Sequence, residues 1–132
     1  MVIQVRPAEF SDWQKSTWAA ALPGAQPSFN SRAASLPANL LPLVLDVREP
    51  WEVQMASIQE NGFALLKIPM RELPARLAEI PMDRPIACLC HHGVRSQHVA
   101  SYLVGKGYTQ VVNLQGGIEA WSLEVDPSVA RY

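Results

Sequence analysis

From residue 43 onward, short apolar runs alternate with stretches of mixed polarity. The runs are Leu-Val-Leu-Asp-Val over 43–47, Ala-Leu-Leu-Lys-Ile over 64–68, Ile-Ala-Cys-Leu-Cys over 86–90 and Val-Val-Asn-Leu over 111–114. Nearly continuous apolar runs are what parallel strands covered on both faces require, so each run predicts a buried strand. Between and after them, 50–56, 70–79, 96–104 and 117–122 predict helices. The plainest is 96–104, where Val99 with Leu103 and Ala100 with Val104 repeat at i, i+4 while Gln97, His98 and Ser101 are polar; Gly105 and Gly107 supply stops. Upstream, 2–5 reads as a strand and 7–15 as a helix opened by Pro7. Four prolines (Pro23, Pro27, Pro37, Pro42) predict a long irregular connection over 19–42, with a helical turn near Ala33. Strand and helix signals in alternation imply an α/β fold with a central, mainly parallel sheet and helices on both faces. Function is then expected at the carboxyl ends of strands.

Length and composition narrow the class. A chain of 132 residues fits one domain, expected over 1–132, and 48% hydrophobic with 17% charged residues suits a soluble globular protein. Eleven basic against twelve acidic residues give a net charge of -1 without a basic run, so nucleic acid is not an expected partner. Nothing near the start resembles a signal peptide or membrane span. The only cysteines, Cys88 and Cys90, stand too close for a disulfide framework, which favours a reducing, cytoplasmic setting.

The stretch Cys90-His91-His92-Gly93-Val94-Arg95-Ser96 lies between a predicted strand and a predicted helix. Such a turn aims successive backbone N–H groups inward and adds the positive end of a helix dipole, so it suits an anion. A cysteine at its first position has its thiolate favoured by the helix terminus and by a cation such as Arg95. Gly93 permits the tight turn, and Ser96 is placed to cap the helix. Taken alone, Cys90 is equally an ordinary buried thiol; the glycine, arginine and following helix favour chemistry. Cys88, inside the strand on the same face, reads as core. His91 and His92 invite a metal, but with only His98 and Cys88 nearby no three- or four-ligand set forms. They are expected on the loop rim, where their charge attracts an anionic donor in mild acid. A second cluster, Asp46-Val-Arg48-Glu-Pro-Trp-Glu52, ends a buried strand; Arg48 and Glu52 are spaced to pair, and Asp46 to accept loop donors.

These clusters, followed by Leu114-Gln-Gly-Gly-Ile-Glu-Ala-Trp121, resemble the rhodanese family over about residues 43–121, leaving 123–132 as a C-terminal tail. The resemblance implies a three-layer α/β/α sandwich and a sulfurtransferase in which Cys90 carries sulfane sulfur as a persulfide. The loop Cys90 to Ser96 would bind the persulfide, with Asp46 and Arg48 supporting, and no metal or other cofactor is expected. Its partners would be a small sulfur donor such as thiosulfate and a cyanide or thiol acceptor, with room for a protein acceptor. The family's His-Ile-x-Gly-Ala stretch is echoed only by Ile58, Gly62 and Ala64. Two alternatives stand beside this: a noncatalytic rhodanese-like module, and a cysteine phosphatase of the same fold. A phosphatase loop needs five residues between cysteine and arginine, and here four intervene.

Overall fold

The computed structural model describes residues 2–21 and 41–132. Its strands are β1 (Ile3–Val5), β2 (Leu43–Asp46), β3 (Ala64–Lys67), β4 (Ile86–Leu89) and β5 (Val111–Leu114); its helices are α1 (Phe10–Ala21), α2 (Pro50–Met55), α3 (Val94–Gly105) and α4 (Gly117–Glu124). All strand pairs are parallel, in the order β1-β5-β4-β2-β3. The expected α/β architecture is therefore present. β2, β4 and β5 are buried along their whole length, which accounts for their unbroken apolar runs, whereas β3 lies at the sheet edge and is partly exposed.

The two-residue period of a strand splits the core in two. One face collects Leu43, Leu45, Ile86, Cys88 and Cys90 under Val99, Ala100 and Leu103 of α3. The other collects Val44, Ala87, Leu89, Val112 and Leu114 under Phe10 of α1 and Ile118 and Trp121 of α4. Each such aliphatic side chain contributes roughly 1.5–3 kcal/mol on full burial, so helix cover on both faces is what holds the layers together. Phe10, Phe63 and Trp121 meet edge-on at centroid distances of 5.1–6.2 Å and fill the second face.

Several expectations are corrected. Segment 70–79 is two 3-10 turns, Met70–Glu72 and Pro74–Glu79, because Pro74 lacks the amide a continuous helix needs there. Helix α1 runs on to Ala21, into the connection expected to be irregular; Ala19, Ala20 and Ala21 favour helix and the first proline comes only at Pro23. The turn expected near Ala33 lies outside the described residues. Leu123 and Glu124 belong to α4 rather than to a tail. On α3, Val104 is exposed, and the buried stripe is Ser96, Val99, Ala100 and Leu103, which turns Ser96 inward.

The chain leaves the ends of the neighbouring strands β2 and β4 in opposite directions. After β2 it feeds Ala56, Ile58 and Phe63 to one face, and after β4 it feeds α3 to the other. A crevice opens where connections diverge in this way. The Asp46 box follows β2 and the Cys90 loop follows β4, so the two segments leave neighbouring strand ends at this point of divergence.

Candidate functional site

Cys90 follows directly on β4 and is 1% exposed. The chain then turns at Gly93, whose φ of +97° puts it in the left-handed region, and α3 begins at Val94. The Gly93 N–H donates to the Cys90 Sγ at 3.0 Å. Of the successive loop amides expected from sequence, the Gly93 amide at the start of α3 is the one that reaches the sulfur. Val94 is an exposed residue that contributes its backbone to the helix start.

Ser96 does not cap α3, contrary to expectation; glycine occupies the cap position. Its stripe on the helix points inward, so its Oγ lies 3.3 Å from the Cys90 Sγ and donates to Asn113 Oδ1. With its single proton given to Asn113, the hydroxyl is an acceptor for a Cys90 S–H. Asn113 is fixed in turn, its Nδ2 donating to Gly93 O at 3.1 Å and Gln4 Oε1 at 2.8 Å. It is paired in register with Cys88 on β5, which places it on the cysteine face. The sequence reading missed Asn113, although an amide within an otherwise apolar strand was a visible signal.

A second helix terminus holds the loop from behind. Ile118 N donates to Cys90 O at 2.8 Å and Glu119 N to His91 O at 3.2 Å, so the first amides of α4 satisfy the loop carbonyls. This close approach requires Gly117. A Cβ there would meet the carbonyl oxygens of both Cys90 and His91, the former at 2.5 Å, and its φ is +63°.

The charged residues pair differently from expectation. Arg48 and Asp46, both 1% exposed, form a two-point ion pair with Nε–Oδ1 at 2.9 Å and Nη2–Oδ2 at 2.7 Å. Asp46 thus receives Arg48 rather than loop donors other than the Arg48 amide itself. Arg48 reaches only the backbone oxygen of Glu52, at 3.2 Å. The Glu52 carboxylate instead takes Arg95 through two bonds of 2.7 Å. It also accepts from Glu49 N at 2.9 Å and the Tyr132 hydroxyl at 3.0 Å. Arg95 chiefly, with these other donors, holds the Glu52 carboxyl down at about 2 against the cost of its burial. Glu52 in turn keeps Arg95 firmly protonated. Arg95 is therefore held in an ion pair with Glu52 while its charge still acts on Cys90, and the sulfur faces the Gly93 amide at the start of α3.

His91 is not a rim residue. Its ring is stacked between His92 and Tyr132, each at 3.9 Å, and burial lowers its pKa, which favours a neutral ring in mild acid and argues against the expected role of attracting anions. His92 is exposed, its Nε2 lying 3.1 Å from Glu119 Oε2. His91, His92 and Glu119 are the one group among the described residues that brings three metal-ligating atoms together. Glu119 is already engaged by His92 and by Arg131 at 2.7 Å.

A family model described as rhodanese-like domain matches residues 30–124. A sulfurtransferase of Allochromatium vinosum is 40% identical over 88 residues, covering 67% of this chain and 78% of that one. The thiosulfate sulfurtransferase GlpE of Vibrio cholerae is 33% identical over 78 residues, covering 59% and 70%. The crystal structure of a rhodanese-related protein from Thermoplasma volcanium aligns with a TM-score of 0.59 at 35% identity, over 76% of this chain and 95% of that one. The family match spans the Asp46 strand end, the cysteine loop and the Gly116-Gly117 turn that braces it, and on that ground this chain belongs to the rhodanese-like domain family.

Proposed function

We propose that the protein is a sulfurtransferase in which Cys90 carries the transferred sulfur as a persulfide. The observation that carries this reading is the Gly93 N–H directed at the Cys90 Sγ from the start of α3. In the first half-reaction the Cys90 thiolate attacks the outer sulfur of thiosulfate or a related donor. The new S–S bond takes the place of the donor's own, and sulfite leaves with the bonding pair. In the second, cyanide or a thiolate attacks the terminal sulfur and Cys90 departs as thiolate, so no external oxidant or reductant is consumed. The loop amides and helix terminus stabilise the negative sulfur in both steps. Asp46 and Arg48 act as a buried brace beneath the crevice and do not touch the reacting atoms.

Loop length speaks against the phosphatase alternative, since four residues rather than five separate Cys90 from Arg95. The Nη1–Nη2 edge of Arg95 is spent on Glu52, which leaves only its Nε side for an anion. The test is intact mass after thiosulfate treatment, with thiocyanate formation as the second reading. The protein should gain one sulfur atom, lose it to a thiol reductant, and form thiocyanate from cyanide. An unchanged mass would favour a noncatalytic rhodanese-like module, and faster turnover of aryl phosphates than of thiosulfate would favour the phosphatase.

A further inference from the structure

Tyr132 lies far along the chain from the cysteine loop, yet its side chain sits where the loop and the Asp46 box meet. Arg48 Nη1 donates to its hydroxyl at 3.0 Å, and the hydroxyl donates to Glu52 Oε1 at 3.0 Å. The oxygen thereby links two ion pairs that otherwise share only the bond from Arg48 to the Glu52 backbone. Burial pushes the phenol pKa up, so at neutral pH it is a neutral donor. The ring does a separate job. It lies flat on the His91 imidazole, centroids 3.9 Å apart and planes within 12°, and Trp51 meets it edge-on at 6.3 Å.

His91 and Arg95 stand on either side of Gly93, the residue whose amide reaches the sulfur. We propose that Tyr132 is a positioning residue for the Cys90 loop, its ring fixing His91 and its hydroxyl fixing Arg95 through Glu52. The inference rests on the reading of this loop as the sulfur-transfer site. Loop amides contribute to transfer only if they hold their places as the sulfur enters and leaves; displacement by about 1 Å can cost on the order of 10² in rate.

The test uses the full chain with Tyr132→Ala and Tyr132→Phe, and two readings. One is the rate of Cys90 alkylation by iodoacetamide followed by intact mass, which needs no knowledge of the sulfur donor. A sulfur that is 1% exposed is reached by the alkylating agent more readily when its loop loosens, and the Cys88 thiol, its pKa raised above the ordinary range by burial, stays silent. The other is kcat and KM for thiosulfate at saturating cyanide. Tyr132→Ala should alkylate about 10-fold faster and lose roughly 10- to 100-fold in kcat, with KM changed about threefold at most. Tyr132→Phe keeps the ring but loses the hold on Arg95, so its alkylation rate and kcat should fall between those of the parent and Tyr132→Ala, and its acid inactivation moves to higher pH because Glu52 has lost a donor. Parent-like alkylation and kcat in Tyr132→Ala, or equal losses in both variants, would overturn the proposal. If the parent transfers no sulfur, the functional reading fails while the alkylation rates still decide the positioning role. Should Tyr132→Ala fail to fold, Tyr132→Leu fills the space without ring or hydroxyl and is held to the same expectations.

Discussion

Cys88 and Cys90 are two residues apart, share one face of the sheet and are almost equally hidden, at 0% and 1% exposure. Burial therefore does not distinguish them. Cys88 is inside β4, where the neighbouring strands take the amides; burial pushes its pKa above the usual thiol range. Cys90 stands just past the strand, where the chain turns and an amide is free to reach it. The comparison teaches that the end of the ladder, and not depth, turns a core thiol into a candidate nucleophile.

The strongest test of that contrast is replacement of each thiol in turn. Cys90→Ser retains size but loses the nucleophile, so thiosulfate should add no sulfur and thiocyanate formation should fall to background. The fold should survive, since the Gly93 amide and Ser96 can bond a hydroxyl as readily. Residual transfer above a few per cent of the parent rate would move the chemistry elsewhere.

Next in size is Gly117→Ala, which leaves both sulfurs untouched. Its Cβ would collide with the carbonyls of Cys90 and His91, and the left-handed φ adds strain of about 1–3 kcal/mol. Relief requires the loop to withdraw from α4 and carry its amides off the sulfur. A drop in transfer of about 10² to 10³ is expected, the cost of losing one well-placed donor. Measured kcat near the parent value would mean that the brace from α4 is unimportant.

These two tests draw on features of unequal visibility. The strands, α3 and the glycine turns were legible because period, apolar runs and glycines are local signals, and Cys90 with Gly93 could be placed from them. The pairing of Arg95 with Glu52 was not, because spacing along one segment favours Arg48 for Glu52, whereas parallel β2 and β4 bring α2 against the start of α3. Ser96 was misread because both a cap and a buried stripe position suit serine at a helix start. Asn113 left a trace, as an amide in an apolar strand. Tyr132 left none; only the folded chain returns it to the loop.

Acid should weaken the Cys90 side of the comparison selectively. Glu52, 3% exposed, has its carboxyl lowered from 4.5 to about 2, mainly by Arg95, so the stability it contributes is complete above about pH 4.5 and is lost as pH falls toward 2. At 1.36 kcal/mol per unit this corresponds to about 3 kcal/mol. Exposed carboxylates with salt-bridge partners add little. Denaturant unfolding at pH 5 and pH 3 should show a steeper loss in the parent than in Glu52→Gln, which has no charge to lose. Parallel slopes in the two proteins would remove Glu52 from the acid response.

The smallest effect is expected at Cys88, and it is one of stability. Cys88→Ser puts a hydroxyl on the buried sheet face between its register partners Leu45 and Asn113 and should cost about 1–3 kcal/mol if the oxygen finds no partner. Cys88→Ala leaves no polar group behind and should cost the smaller amount of the two, since only the space of one sulfur is vacated. Sulfur uptake and kcat should match the parent in both, because the Gly93 amide and the start of α3 are unaltered. Chemical denaturation ranks the two variants, and intact mass after thiosulfate reads the chemistry. If Cys88→Ala transferred no sulfur while remaining folded, the strand thiol would have to share in the reaction, and the distinction between ladder and turn would no longer explain which cysteine carries it.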